Sequence, residues 1–441
     1  MTGFVPFDET RPRLVRALEH LALPARGLSE LLVVRDLMGR IRLLVPEQPE
    51  PGPELEQALG ELTRRLHQEL GVRSYEPEQG VLSVDKEDLE ALKKGALRHE
   101  VQGLTIYLVD RLITGSEWAT ISSVLPHPRT LRFTLFSIKG GVGRSTTAAV
   151  LATHLARKGR RVLVMDLDLE SPGVSSMLLA REEHPDFGIV DWFVEDLVGQ
   201  GDEVVRRMIG RPSWGQDFRG DILVAPAYGS EPREYLAKLG RVYLDRPPDG
   251  DQPPEGWTMR LLRLMQAMEE REKPDVVLLD SRNGLHDLAA AAVTDLQAQV
   301  LLFGMDTEAT WTAYRILFEH WHSHGVAPSI RERLSVVAAL LPETQPDAYL
   351  SGFRERAWDL FCKWLYDEVP ANSREESEIE LFSFDLADEG APHNPFPIHW
   401  NRGLATLSSL RDLDESVVSL AYERFLERFD LLFQALSEEP Q

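Results

Sequence analysis

The glycine-rich stretch KGGVGRST, residues 139–146, constrains the fold of this chain more than any other segment. It follows the apolar run RFTLFSI (132–138) and precedes TTAAVLATHLARK, whose apolar spacing is helical and which ends at Gly159. Glycines let successive backbone N–H groups turn toward one anion, and the helix that follows adds the positive end of its dipole. A strand, a glycine loop and a helix in this order predict a phosphate-binding site.

Further apolar runs predict a sheet around this loop. They lie at 161–169, 221–227, 275–280, 298–304 and 334–341. Their Val, Leu and Ile residues do not alternate with polar ones, which is typical of parallel strands covered on both faces. Helical segments, for example 257–272 and 308–320, separate them. The predicted fold class is therefore α/β, with a doubly wound, mainly parallel sheet.

The regions on either side of this sheet predict two further parts of the chain. Residues 1–125 are expected to form a small α/β interaction domain, with strands in 31–45 and 104–110 and a helix over 53–70. The proline-containing segment 123–130 is the expected linker to the central domain, 131–345. The region 346–441 shows little strand signal and is expected to be mainly helical, and the apolar stripe of its last helix, 416–437, indicates a packing or dimer helix.

Three aspartates stand near the ends of predicted strands. Asp166 and Asp168 close the run 161–169, and Asp280 closes the run 275–280. Because the carboxyl ends of parallel strands meet at one edge of a sheet, we expect these carboxylates to lie near the loop and, with the Ser145 hydroxyl, to bind Mg²⁺. The alternative is that each aspartate only caps the turn after its strand.

Composition limits the classes of function. The 441 residues carry a net charge of −23, which disfavours nucleic acid and anionic lipid as partners. The single cysteine, Cys362, can form neither an internal disulfide nor a thiolate metal cage. No apolar run reaches the ~18 residues of a membrane span, and the first residues lack a secretory signal, so we expect a cytoplasmic protein without a membrane anchor.

KGGVGRST resembles the deviant Walker A loop KGGxGK[ST] of the ParA/MinD-type P-loop ATPases. MDLDLESPG, which follows the second strand, resembles that family's acidic segment, and PDVVLLDSRNG resembles its Walker B strand and switch. The resemblance covers roughly 131–345. It implies ATP and Mg²⁺ as cofactors and a homodimer that closes face to face around ATP. The adenine preference is likewise implied only by the family, since VVAALLPETQ offers no clear counterpart of its base-binding asparagine.

The resemblance also implies a role for individual residues. Lys139 would reach into the nucleotide of the partner subunit, and Asp168 would orient the attacking water. Ser145, Asp166 and Asp280 would hold Mg²⁺. The nucleotide would be bound by Gly140, Gly141, Val142, Gly143, Arg144, Ser145 and Thr146, and the switch would consist of Ser281, Arg282, Asn283 and Gly284.

Two positions depart from the family pattern. Arg144 stands where a lysine is expected, and its planar guanidinium can hold two phosphate oxygens but places its charge differently. Phosphoryl transfer depends on charge placement, so this change predicts tight nucleotide binding with slow turnover. Arg282 in DSRNG either senses the γ-phosphate, fixes the switch to a partner, or is an ordinary surface arginine.

These features together predict a nucleotide-dependent switch that regulates an unidentified protein partner. The combination of KGGVGR with DSR-x-G resembles a bacterial subgroup associated with signalling and anti-phage systems, which implies a role of that kind. Two alternatives remain at this stage. One is an ATPase that partitions or positions DNA, and the other is a scaffold that binds ATP without hydrolysing it.

Overall fold

The computed structural model describes residues 4–19, 28–47, 52–93, 96–121, 130–248, 254–368, 381–405, 409–412 and 415–438. They form two compact units, with the main boundary between Thr120 and Ile121. The predicted linker, 123–130, lies outside the described residues except for Thr130.

In its described residues, the first unit has a five-stranded sheet covered by three α-helices. Its helices are α1 (Thr10–Glu19), α2 (Pro53–Leu70) and α3 (Lys86–Lys93), and its strands are β1 (Glu30–Arg35), β2 (Ile41–Pro46), β3 (Val81–Val84), β4 (Leu97–Val101) and β5 (Leu104–Asp110). The strand order is β3-β2-β1-β5-β4, with β1 parallel to β5 and antiparallel to β2. The predicted helix over 53–70 and strand over 104–110 are confirmed.

Alternation along β1 explains how both faces of this sheet are covered. Leu31 and Val33 point into a core that includes residues of α1 and α2. Leu32 points the other way and packs with Leu89 of α3. Successive strand side chains face opposite sides of a sheet, so one short run serves two cores.

The second unit contains a seven-stranded sheet. Its strands are β6 (Leu131–Ser137), β7 (Val162–Leu167), β8 (Ile222–Ala225), β9 (Val276–Ser281), β10 (Gln299–Gly304), β11 (Leu334–Leu341) and β12 (Phe396–His399). Their order is β12-β11-β10-β6-β9-β7-β8, and every neighbouring pair is parallel. The order reverses beside β6, the strand that leads into the glycine loop, and this confirms the predicted doubly wound sheet.

Helices cover both faces of the large sheet. They are α4 (Arg144–Arg157), α5 (Val174–Leu178), α6 (Ile189–Asp196), α7 (Gly201–Val205), α8 (Tyr235–Leu239), α9 (Trp257–Glu272), α10 (Asp287–Thr294), α11 (Glu308–Ser323), α12 (Ala327–Ile330), α13 (Pro346–Trp364), α14 (Arg402–Ala405) and α15 (Glu415–Glu438). On β7, Val162 and Val164 join the core that contains α4 and α15, whereas Leu163 and Met165 join the core that contains α6 and α9. This double coverage is why the strands are uniformly apolar. Among the described residues, the helices include none with the length and apolar character needed to cross a bilayer.

The C-terminal region belongs to the same compact unit as the large sheet. Phe396 of β12 pairs with Val337 of β11, and the rings of Phe429 in α15 and Phe133 in β6 lie 4.9 Å apart between centroids. The region is mainly helical, as predicted, but it also adds an edge strand that the sequence did not indicate. β12 has only four residues and contains Pro397, and a short strand with a proline gives little strand signal.

Candidate phosphate and metal site

The glycine loop joins β6 to α4 at the carboxyl edge of the sheet. Gly141 and Gly143 have φ angles of 77° and 84°, in the left-handed region that residues with a side chain rarely adopt. The carbonyl oxygen of Gly143 accepts the first hydrogen bonds of α4, from the backbone N–H and the hydroxyl of Thr147, at 2.9 and 2.8 Å. The loop therefore ends at the start of a 14-residue helix, as an anion-binding turn requires.

The structure brings the three predicted carboxylates together beside this loop. Asp166 of β7 and Asp280 of β9 are direct neighbours in the parallel register, and both are fully buried. Asp168 follows β7 and is also buried. Their convergence comes from the sheet, because equivalent positions on adjacent parallel strands lie side by side.

Asp280 and Asp166 are buried without enough hydrogen bonds. Neither carboxylate oxygen of Asp280 has a partner among the described residues, and burial together with the charge of Asp166 raises its pKa to about 7, despite the nearby Arg144 and Ser145. One oxygen of Asp166 accepts from the hydroxyl and backbone N–H of Ser175, at 2.6 and 3.2 Å. The other oxygen of Asp166 has no partner among the same residues. Burial raises the pKa of Asp166 to about 6 in spite of the bonds from Ser175.

The available donors fit a hard cation such as Mg²⁺. Unpartnered, buried carboxylate oxygens are the ligands it prefers, and it is commonly held by one or two carboxylates, a hydroxyl, phosphate oxygens and water. The described residues contain no ready-made cluster of three acidic, histidine or cysteine side chains for a metal. The ion would therefore depend on Ser145, solvent and a nucleotide for the rest of its ligands.

Arg144 links the loop to the ends of β7 and β9. Its side chain is buried and donates a hydrogen bond to the carbonyl oxygen of Ser281. Its second terminal nitrogen lies 3.5 Å from a carboxylate oxygen of Asp168. Burial raises the pKa of Asp168, the charge of Arg144 lowers it, and the overall direction is upward. Sequence reasoning placed Arg144 on the phosphates and did not foresee these two contacts.

The predicted switch is held by residues that sequence reasoning missed. Arg282 forms an ion pair with Glu170 at 2.5 Å, and the hydroxyl of Tyr243 donates to the same carboxylate at 3.3 Å. The hydroxyl of Tyr235 donates to the carbonyl oxygen of Leu169 at 2.6 Å. Glu170 was visible only as the third acid of the stretch that begins at Asp166, and nothing in the sequence connects the two tyrosines with that segment.

The remaining predicted residues lie on or beside the loop. Lys139 is exposed, Val142 is buried, and Ser145 and Thr146 are half-buried at the start of α4. Gly284 donates its backbone N–H to the carbonyl oxygen of Ser137 at 3.0 Å, which fixes the switch to the end of β6. The side chain of Asn283 lies over Gly140, where an added Cβ would come within 2.6 Å of its amide nitrogen. A larger residue at 140 would therefore require the side chain of Asn283 to move.

Comparison with known proteins gives matches around the loop. A family model described as ParA, NUBPL iron-transfer P-loop NTPase, matches residues 131–192. An iron-sulfur cluster carrier protein from Pseudomonas fragi is 47% identical over 57 residues, which are 13% of this chain and 20% of the relative. The chromosome-partitioning ATPase Soj from Thermus thermophilus is 50% identical over 51 residues, which are 12% of this chain and 20% of the relative. The chain thus spans about a fifth of the length of these relatives.

A solved structure shows a more distant likeness. The MinC:MinD cell division protein complex of Aquifex aeolicus contains a chain that is 14% identical, with a TM-score of 0.39, over 68% of this chain and 96% of that one. A likeness at this level adds nothing to the strand order described above. The family match covers β6, the glycine loop, α4 and β7, so this part of the large unit is similar to the P-loop NTPases of the ParA family.

Proposed function

We propose that the large unit is an Mg²⁺-dependent, ATP-binding switch that hydrolyses ATP slowly, dimerises around it and regulates a protein partner. The observation that carries this proposal is the pair Asp166 and Asp280, buried beside the glycine loop with three carboxylate oxygens that lack partners among the described residues. Buried polar groups are normally satisfied, so these oxygens indicate a cationic ligand that the chain itself does not supply.

Each part of the site has a chemical task in this proposal. The loop N–H groups and the start of α4 bind phosphate, and Ser145, Asp166 and Asp280 hold the metal ion, whose charge neutralises the phosphate oxygens. Asp168 orients the attacking water. The exposed side chain of Lys139 is free to extend away from its own loop, as insertion into a second subunit requires.

Arg144 explains why turnover is slow. Its guanidinium is engaged by the Ser281 carbonyl and by Asp168, so it must leave these groups before it can bind phosphate. The contact with Asp168 also keeps the positive guanidinium beside the carboxylate that should orient the attacking water. Lysine has a slimmer, point-like ammonium and lacks the planar fork with which a guanidinium bridges two acceptors.

Steady-state phosphate release by Arg144→Lys tests this account. We expect hydrolysis to rise by about ten-fold or more, because charge placement dominates phosphoryl transfer. Arg157→Lys, on the exposed side of the same helix, is the matched control and should leave the rate unchanged. An unchanged rate in Arg144→Lys would show that the arginine does not limit turnover. If the unsubstituted chain releases phosphate no faster than the Asp168→Ala variant, the result would instead support a scaffold that binds ATP without hydrolysing it.

Light scattering tests the dimer separately. The unsubstituted chain should be dimeric with ATP and Mg²⁺ and monomeric with ADP. A monomer in both states would remove the dimer from the proposal while leaving nucleotide binding intact. Genes that neighbour the one encoding this chain would then indicate whether the partner belongs to a signalling or anti-phage system.

DNA partitioning is a second candidate because one relative is a chromosome-partitioning ATPase. The net charge of −23 disfavours it, since binding to DNA is dominated by attraction to phosphates. Binding of the ATP-loaded chain to DNA that weakens steeply with salt would favour this candidate. Iron-sulfur cluster transfer, named for another relative, is poorly supported because Cys362, on α13, is the sole cysteine of the sequence.

A further inference from the structure

A large cavity lies in the second unit at the edge of the sheet. Its volume is about 730 Å³, and it lies between α13 and α15, beside the start of β12. In the strand order β12 is three strands away from β6, which carries the glycine loop. Three strand spacings amount to roughly 14 Å, so this cavity is separate from the phosphate site.

The cavity combines apolar and cationic surfaces. Its lining includes Leu350 and Arg354 from α13, Arg424, Arg428 and Leu431 from α15, and Phe396 from β12. Residues four and seven positions apart share one face of a helix, so each helix presents its arginine and its leucine to the same space.

Arg354 contributes an unsatisfied donor to the cavity. Its Nε atom is buried and has no hydrogen-bond partner among the described residues. A guanidinium cannot lose its charge at any physiological pH, and a buried donor without a partner carries a free-energy cost. A phosphate or carboxylate oxygen at this position would remove that cost.

Arg428 of α15 is another arginine of the lining. Its guanidinium lies 4.7 Å above the ring of Phe396 and donates to the backbone oxygen of Glu389 at 3.0 Å. Arg354 on α13 and Arg428 on α15 both line the cavity, so two helices each supply it with a guanidinium group.

Acidic side chains also line the cavity but do not satisfy Arg354. Asp347 lies 3.6 Å from Arg424, and both of these side chains are largely exposed. Glu389 and Glu427 are the other two acids of the lining. The lining therefore contains one exposed ion pair, Arg424 with Asp347, and the buried Nε atom of Arg354 that has no partner among the described residues.

We propose that this cavity binds a small organic anion. Arg354 and Arg428 hold its phosphate or carboxylate group, and its apolar part lies against Leu350, Phe396 and Leu431. Guanidinium groups bind both kinds of anion through paired hydrogen bonds, and the volume lies within the roughly 300–1,000 Å³ of ordinary small-molecule sites. The proposal does not depend on ATP hydrolysis at the glycine loop.

Titration calorimetry on the full chain tests the proposal with three probes, namely phenyl phosphate, benzoate and phenol. At least one of the two anions should bind, and neutral phenol should not. Arg354→Gln should weaken anion binding by about ten-fold or more, since hydrogen bonds to charged groups contribute about 1.5–3 kcal/mol. Arg428→Lys, which keeps its charge, should weaken it less. Arg233→Gln, at an exposed arginine elsewhere in the unit, is the matched control.

Phenyl phosphate can also enter the glycine loop, so Arg144→Gln separates the two sites. Binding that survives Arg144→Gln and is lost in Arg354→Gln belongs to the cavity, whatever the fate of the proposed ATPase. Thermal unfolding without ligand supplies a further criterion, because removing an unpartnered arginine should leave the melting temperature unchanged or raise it. The proposal is wrong if neither anion binds, if phenol binds equally well, if only an acidic peptide such as oligoglutamate binds, or if Arg354→Gln lowers the melting temperature by several degrees.

Discussion

Two clusters of buried charge in the large unit differ in how completely the chain satisfies them. Asp196, at the end of α6, accepts hydrogen bonds from Arg260 at 2.9 Å and from Arg263 at 2.8 and 3.0 Å. Burial alone would raise the pKa of Asp196, but the two arginines outweigh it and the pKa is lowered. At Asp280, by contrast, burial raises the pKa to about 7 and no arginine donates to the carboxylate among the described residues.

The difference separates a structural cluster from a ligand site. Arg260 is fully buried, yet its remaining nitrogens donate to the backbone oxygens of Leu244 and Phe193, so that cluster is complete without any ligand. The carboxylates near the loop are equally buried and incomplete. Since leaving a buried charge unpaired is costly, an incomplete cluster is the one expected to bind something.

The largest effect is expected for Arg260→Gln. The change removes a charge from a completed buried pair and leaves two backbone oxygens without their donor, so we expect a loss of about 3–5 kcal/mol in the free energy of unfolding. Urea denaturation measures it. The exposed Arg206→Gln should change stability by less than about 0.5 kcal/mol. If Arg260→Gln lowers the free energy of unfolding only slightly, the fully hydrogen-bonded Asp196 cluster is not stabilising, and its contrast with the Asp280 site would not hold.

Asp280→Asn should have the opposite profile. Without its buried carboxylic acid the unliganded chain should be as stable as before or more stable, whereas phosphate release should fall by about 100-fold or more because the metal loses a ligand. Urea denaturation and phosphate release measure the two effects on one preparation. Asp217→Asn, at an exposed position, is the control. A large loss of stability together with full activity would assign Asp280 to structure.

The sequence predicted the carboxylates of the loop site but not the complete cluster. Asp166 and Asp280 could be found because both close apolar strands, and the carboxyl ends of parallel strands meet at one edge. Asp196 and Arg260 are 64 residues apart on two different helices, where each resembles an ordinary surface charge. Their pairing depends on how α6 and α9 pack, which no local pattern encodes.

The same distinction explains the other differences between prediction and structure. The helix over 257–272 could be predicted to the residue because its apolar spacing and its preceding glycine are local signals. Tyr243 reaches Glu170 across 73 residues, and Arg354 meets the cavity only because α13 lies beside α15. Local patterns therefore predicted the elements and one edge of the sheet, while contacts between distant side chains had to be observed.

The pH dependence of stability should show the same contrast at a smaller scale. The pKa of an aspartate near 3.8 is raised by burial to about 6 at Asp166 and about 7 at Asp280. Between pH 4 and pH 7 the unfolded chain has lost protons that the folded chain retains, so stability should fall as pH rises, by up to about 1.4 kcal/mol per pH unit for each group. Above pH 7 this loss is complete. The pKa of Asp196 is lowered, so its contribution has the opposite pH dependence: it stabilises the folded chain at neutral pH and is lost only as the pH falls below about 4.

Urea denaturation between pH 5 and pH 8 measures this dependence. Asp280→Asn should have a shallower slope than the unsubstituted chain up to pH 7 and the same slope above it. Equal slopes throughout would show that Asp280 is already ionised in the folded chain, and the contrast with Asp196 would then lose its electrostatic basis.

The smallest effect on stability is expected at the ion pair of Arg282 and Glu170. Its hydrogen bonds are less complete than those of the Asp196 cluster and more complete than those of Asp280. Its side chains are 28% and 22% exposed, and one oxygen of Glu170 is buried without a partner among the described residues. Because solvent screens a partly exposed pair, Glu170→Gln should change the free energy of unfolding by less than about 1 kcal/mol.

The pair nevertheless joins the segment after β7 to the segment after β9. Its loss should therefore change the ratio of the Kd values for ATP and ADP by about two- to five-fold, which corresponds to a few tenths of a kcal/mol up to about 1 kcal/mol. Glu231→Gln, which breaks the exposed pair with Arg233, should leave that ratio unchanged. A loss of stability as large as that of Arg260→Gln, with an unaltered nucleotide ratio, would place Glu170 in the structural cluster instead of the switch.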